Sequence, residues 1–374
     1  MTTQHAKLSA SGSHRWITCP GSVRACDYAP KQAPSIAADL GTAAHELAEI
    51  TLTAGKYDCR EWLNHPVPGN NAITVDKEMI ANVNEYLHLI ETIGGVQLYE
   101  HRVDFSEWVP GGFGTSDCIA YKDGTLYVID LKYGVGVRVD AEENTQGLLY
   151  ALGAYSEMEF AYPIERVCII ISQPRLERVS EWEISTAELL KRGAWIAERA
   201  QLAVSDNAPR VPEENACRWC PAAPTCAALL TKTHAVTAKD FDDLPQADTL
   251  TDDQVSEALK AKRLIVGWLD AVETYATERA NSPEGFPGFK LVEGRSSRAW
   301  VDDTQAEAAL TPLLGDAAHE RKLLSVAKAE KLLDKAQRKE IAALVIKRPG
   351  APTLVPDSDP RKPAGATAED FEDF

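Results

Sequence analysis

The chain has 374 residues, 44% of them hydrophobic and 25% charged, which suits a soluble globular protein with one large domain or two. Its formal net charge of -17 argues against a uniformly basic nucleic-acid surface. No run reaches the unbroken apolar length of a membrane span and the first residues carry no secretion signal, so a cytoplasmic protein without membrane attachment is expected.

In chain order, Gly41–Gly55 predicts a helix with Thr42 as its cap, Leu47, Ile50 and Leu52 as apolar positions and Gly55 as its stop. A second helix is predicted over Lys77–Ile93. The period then changes to two, and Gln97–Phe105 predicts a strand. Within Gly114–Gly134, Asp123-Gly124 between two β-rich runs predicts a two-residue type I′ hairpin. That turn sets the register: Lys122 faces Thr125, Tyr121 faces Leu126, Ile119 faces Val128, and Asp117 falls opposite Asp130. Lys132 lies two residues beyond Asp130, so all three side chains are expected on one face. A helix over Glu142–Met158, a doubly buried strand over Arg166–Ser172 and a helix over Ala187–Ala203 follow. Beyond these come a helix over Asp252–Ala280, a hairpin over Phe289–Val301, a Lys-rich helical region over Ala327–Ala343 and a Pro-rich tail.

Two carboxylates facing each other across a ladder repel unless a cation lies between them. A lone D-x-K would ordinarily be a solvated ion cluster. Here the same face carries Ile119, Leu126 and Val128, so a divalent ion held by Asp117 and Asp130 is expected. Hard oxygen ligands suit Mg2+ or Mn2+, with Lys132 orienting water or stabilising charge on phosphate.

Eight cysteines without a secretion signal are expected as thiols available to metals. Cys118 and Cys168 sit in apolar strand-like runs and are expected to pack, while Cys26 and Cys59 stay unassigned. Cys217, Cys220 and Cys226 form a C-x2-C-x5-C array suited to metal ligation, one thiolate short of a tetrahedral site.

The motifs "GTAAHE", "GTSD", "VIDLK" and "QGLLY" occur in the order and approximate spacing of the RecB-like branch of the PD-(D/E)XK nucleases, which the chain resembles from Ser9 to about Ala228. The resemblance implies an α/β, restriction-endonuclease-like core of order αβββαβ, with helical additions and a C-terminal α+β extension. It implies His45, Asp117 and Asp130 as metal ligands, with the Leu131 backbone carbonyl beside them, and Lys132 as catalytic lysine. Gln146 and Tyr150 match the family's Q-x3-Y motif, and Glu46 is a secondary candidate. The segment Ser9–Ser22 resembles the part of AddB-type nucleases that contributes one cysteine, which makes Cys19 the fourth ligand with Cys217, Cys220 and Cys226. Cys26 is the alternative. The family pattern implies a [4Fe-4S] cluster, and zinc is the other occupant that four thiolates accept.

These readings divide the chain into a nuclease domain (1–230), an acidic linker (231–251), an accessory α+β region (252–348) and a Pro-rich, acidic tail (349–374). The expected activity is metal-dependent hydrolysis of DNA phosphodiesters, exonuclease rather than endonuclease. No G-x4-G-K-[ST] loop occurs, so no motor is expected in this chain. The whole also resembles a bacteriophage or prophage family, which implies a role in recombination beside a single-strand annealing or single-strand DNA-binding protein. The tail "EDFEDF" is either a solubilising segment or a peptide that docks on such a partner. The other class kept open is a non-catalytic DNA-binding or assembly factor with the same fold and clasp.

Overall fold

The computed structural model describes residues 6–29, 36–67, 70–238, 252–282 and 285–289. The chain divides into two compact units, Met1–Glu284 and Gly285–Phe374. In the second, the described residues hold one antiparallel bridge between Phe286 and Phe289, whose rings lie 6.1 Å apart. The hairpin expected beyond Phe289, the Lys-rich helical region, the tail and residues 239–251 of the acidic linker lie outside the described residues.

The first unit contains helices α1 (Ser13–Thr18), α2 (Ser22–Cys26) and α3 (Ile36–Thr53), strands β1 (Pro66–Val67) and β2 (Asn70–Thr74), and helix α4 (Lys77–Ile93). Strands β3 (Val96–Asp104), β4 (Phe113–Lys122) and β5 (Thr125–Leu131) lead to helix α5 (Thr145–Met158). Strands β6 (Arg166–Gln173) and β7 (Arg178–Ser185) precede helices α6 (Thr186–Val204), α7 (Glu214–Cys217), α8 (Ala227–Ala238) and α9 (Asp252–Ala280).

Five strands form one mixed sheet in the order β3-β4-β5-β6-β7. Only β5 and β6 are parallel, joined through α5, and the other neighbours are antiparallel. The sheet's alternation sends its apolar residues to two separate cores. On one side Ile119, Val128 and Ile169 pack with Leu148 and Leu152 of α5, Ile196 of α6 and the fully buried Trp16 of α1. On the other, Cys118, Ile129 and Ile170 pack with Leu47 of α3 and with Val83, Leu87 and Ile90 of α4. The result is an α/β fold with helices on both faces of a mixed sheet, which contains the expected elements and adds β7, an unexpected edge strand, with β1 and β2 as a separate pair.

Local chemistry explains most boundaries. Asp76 caps α4 by accepting the Met79 N–H at 2.7 Å, and Gly94, at φ 64°, ends it. Asn144 caps α5 through the Gly147 N–H at 2.9 Å, and Ser185 caps α6 through the Glu188 N–H at 3.2 Å. The β4–β5 turn has Asp123 at φ 48° and Gly124 at φ 77°, the left-handed pair that a type I′ turn requires.

Three expectations are corrected. Thr42 does not cap α3: the helix already includes Ile36, and the Thr42 hydroxyl donates to the Ala38 carbonyl inside it. Residues 231–238 are the last two thirds of α8 rather than linker. The first unit also runs past the boundary expected near residue 251, and α9 packs beside α7 and α8.

Candidate metal centre

The type I′ turn carries the predicted register outward from Lys122–Thr125 through Ile119–Val128 to Cys118–Ile129, where pairing stops. Asp117 and Asp130 come next in that register. There the Leu131 N–H is met by Asp117 Oδ2 at 2.7 Å, a side chain standing in for the ladder's carbonyl. Asp117 and Asp130 therefore follow where two central strands cease to pair, and the Asp117 charge acts on the Asp130 carboxyl, although Asp130 is not in the set of close ligand atoms that Asp117 forms with His45 and Glu100.

Asp130 is almost completely buried. Its Oδ1 accepts from Lys132 Nζ at 3.1 Å and from Gln146 Nε2 at 3.0 Å. Lys132 Nζ also donates to Gln146 Oε1 at 3.0 Å, so one glutamine amide grips both members of the ion pair. Gln146 Nε2 lies 3.4 Å from the hydroxyl of Tyr150, one turn further along α5. Asp130 Oδ2 stands 2.8 Å from Lys132 Nζ as an ion-pair contact, but accepts no hydrogen bond.

Asp117 Oδ1 lies 3.4 Å from His45 Nδ1 on α3, and Glu100 Oε1 on β3 lies 3.8 Å from the same nitrogen. Ligand atoms of His45, Glu100 and Asp117 all fall within 4.8 Å of one another. Leu131, Tyr86 and Glu49 line the same recess. Glu46, the secondary candidate, is not among the lining residues, because Glu49 is the acid one helical turn beyond His45.

Glu100 is the residue that sequence reasoning missed. It falls opposite Asp117 in the β3–β4 register, between the pairs Tyr99–Cys118 and His101–Ser116, but takes no part in the ladder. Its φ of 41° is left-handed, a costly conformation for a non-glycine residue in the middle of a strand. No local sequence signal marks such a reversal, and a carboxylate in a strand otherwise reads as surface charge.

The electrostatics describe a site that concentrates negative charge. Burial opposes a charge on His45, but the Asp117 and Glu100 carboxylates outweigh it and hold its pKa at about 10. Burial raises the Asp130 carboxyl against the pull of Lys132, and Asp117 adds to the rise. Burial also raises Glu100, partly countered by His45. Lys132 is held in its charged form by Asp130 despite its own burial. Two buried oxygens here lack a hydrogen-bond partner: Tyr86 Oη, which lines the recess, and Asp130 Oδ2, which keeps its ion-pair contact with Lys132 Nζ. Buried polar atoms are rarely left so without a water or ion to satisfy them. Imidazole and carboxylate donors beside such orphans fit a hard or borderline divalent cation.

The predicted clasp is also brought together. The N-terminal segment is anchored by Trp16, whose Nε1 donates to the Ser9 carbonyl at 3.0 Å, and by Arg199 of α6, which donates to the Ile17 carbonyl at 2.6 Å. Gly21 runs so close to the later chain that a Cβ there would stand 2.6 Å from the Ala208 carbonyl oxygen, and its N–H donates to the Pro209 carbonyl at 2.8 Å. Cys19, Cys217, Cys220 and Cys226 then line one small cavity. Cys19 Sγ accepts the Val211 N–H at 3.2 Å. Cys26 lies close by, with its sulfur 3.9 Å from that of Cys220. The Cys26 thiol and Arg15 hold Cys220 near pKa 6, whereas burial pushes Cys217 to about 11. Cys118, Cys168 and Cys59 are buried away from this cavity, and Cys59 donates to Asn84 Oδ1 at 3.1 Å as a packed core thiol.

Beside the clasp a groove of about 720 Å³ runs between the cysteine segment and α9. Trp219, Trp268, Arg218 and Lys262 are among its lining residues, and the buried Trp268 Nε1 has no hydrogen-bond partner.

The fold and site thus define an α/β protein with an acidic, histidine-containing recess and a cysteine-lined cavity. Residues 5–362 match the family described as "Protein of unknown function (DUF2800)", and the chain belongs to that family. Among solved structures, "Crystal structure of SSO0001" is similar over 60% of this chain and 89% of that chain, at 16% identity and a TM-score of 0.25. Among the described residues, no helix is long and apolar enough to cross a membrane.

Proposed function

We propose that this protein is a metal-dependent deoxyribonuclease built on a RecB-like PD-(D/E)XK core, with exonuclease action on DNA. The observation that carries the reading is Asp130: buried, ion-paired through both oxygens with Lys132, gripped by Gln146, and near enough to His45 for its charge to be felt there. His45, Glu100, Asp117, Asp130 and the Leu131 carbonyl are the groups that would hold Mg2+ or Mn2+. A bound divalent cation supplies a Lewis acid at the phosphoryl oxygen and polarises water for attack on phosphorus.

The chain's own residues do the rest. Lys132, positioned by Asp130 Oδ1 and Gln146 Oε1, presents a fixed ammonium to the negative charge that develops on the phosphate. Tyr150 backs Gln146 and keeps that amide from rotating. His45 gives up its proton before it can serve as a ligand. The groove beside the clasp offers indole faces and guanidinium for stacking on an unpaired strand, a sequence-tolerant mode of binding.

Cys19, Cys217, Cys220 and Cys226 would hold a [4Fe-4S] cluster. The family resemblance supports the cluster, and zinc is the other occupant that four thiolates accept. A recombination role in a phage or prophage, with a single-strand annealing or single-strand DNA-binding partner docked by the acidic tail, completes the proposal.

The test is digestion of end-labelled single- and double-stranded DNA with Mg2+ or Mn2+. Wild type degrades it, and Asp130→Ala and Lys132→Ala each lose activity on the order of a thousandfold while keeping the wild-type circular dichroism spectrum. A wild type that binds DNA but cuts nothing under either metal with varied ends would instead be the non-catalytic assembly factor.

A further inference from the structure

We propose that Cys26 is a fifth, reversible thiol of the clasp, which forms a disulfide with Cys220 in the metal-free protein and blocks reloading of the cavity. Cys26 ends α2, and Cys220 follows α7 by three residues, so the two come from opposite ends of the domain. Their sulfurs stand 3.9 Å apart, against about 2.05 Å in a disulfide. Arg15 of α1 donates to Cys26 Sγ and also hydrogen-bonds Cys220, so one guanidinium sits over both sulfurs and holds them side by side. Both cysteines are half-buried, open to a small reagent, whereas Cys59, Cys118 and Cys168 are sealed in the core.

The reaction is thiol–disulfide exchange with a low-molecular-weight disulfide, RSSR. The Cys220 thiolate attacks one sulfur of RSSR, that S–S bond breaks, and one thiolate leaves and takes up a proton. The Cys26 thiolate then attacks Cys220 Sγ in the mixed disulfide and expels the second thiolate. Two protein thiols are oxidised and RSSR is reduced to two RSH. Because Cys220 is also one of the proposed cluster ligands, the bond withdraws a ligand, and excess reductant restores it. The part about reloading rests on the clasp reading above, whereas disulfide formation itself does not.

The experiment uses the full chain, stripped of metal by a chelator without oxygen, titrated with oxidised glutathione and digested with trypsin under non-reducing conditions. The expected product links Ala25–Lys31 to Trp219–Lys232. It persists in Cys226→Ser, which leaves Cys220 as the partner, and is lost in Cys26→Ser and Cys26→Ala. Metal-loaded protein gives at least tenfold less of it, and Cys26→Ser holds as much iron as wild type. The idea is overturned if metal-free wild type gives no such peptide, if the link joins Cys19 instead, or if Cys26→Ser loses iron as Cys19→Ser does, since Cys26 would then be a ligand. A chain that never holds iron yet forms the link removes the clasp reading and leaves the dithiol standing.

Discussion

His45 governs how the recess responds to pH. Its pKa rises from 6.5 to about 10 in the folded protein, because the Asp117 and Glu100 carboxylates outweigh its burial. The stability it contributes is fully present below pH 6.5 and is lost as the pH rises through 10. In the metal-free protein, His45→Asn should therefore flatten the fall of the melting temperature with pH across that window, measured with chelator present. The same proton competes with metal, so the apparent affinity of wild type for Mn2+ should increase with pH over that window in calorimetric titrations. Glu100→Gln should weaken that affinity by roughly 10- to 100-fold without unfolding the chain, as loss of a supporting or direct ligand does. Asp117, Asp130 and Lys132 are legible from residues alone, since one tight turn fixes their register and Asp130 on a half-apolar face demands a counter-charge. Glu100 is not, because its role depends on a backbone reversal that no neighbouring residue announces.

Helix α5 sets the precision of the lysine. It lies so close to the sheet that a Cβ on Gly147 would meet Ile169 Cγ2 at 2.5 Å. Gly147→Ala should cost about 1–3 kcal/mol in denaturant unfolding and shift the adjacent Gln146 off Lys132. Removing the α4 cap with Asp76→Ala should cost about 1 kcal/mol and leave any nuclease activity unchanged, since no site residue lies on that first turn. Helices α4 and α9 are legible to the residue, because each has strong periodicity and clear end signals. The start of α3 is obscured because Thr42 has the chemistry of a cap but uses its hydroxyl within the helix. Strand β7 escapes for another reason. Glu181 and Glu183 point outward on an edge strand, and Val179 is exposed beside them, so its alternation carries charge where a reader expects apolar residues.

For the molecule as a whole, the clasp and the groove beside it are one structural addition to the sheet. Trp219→Ala should weaken single-strand DNA binding by about 1 kcal/mol or more in fluorescence anisotropy, with little change for duplex. Cys226→Ser should lose the iron, expected at about four atoms per chain, and lower the thermal midpoint, because the metal then no longer favours the folded state. That three later cysteines await a partner is legible in their spacing. The partner's identity comes from resemblance, with Cys26 as the alternative to Cys19, and only the folded chain brings both to the later cysteines at once.

Cys19 accepts its hydrogen bond from a residue 192 positions further along the chain. The cavity therefore stays unfinished on the ribosome until Cys226 has emerged, by which time all five strands of the sheet have been made. A cofactor held there, as proposed above, would be captured only after every strand of the sheet had been made, late in the domain's synthesis rather than as a seed for it.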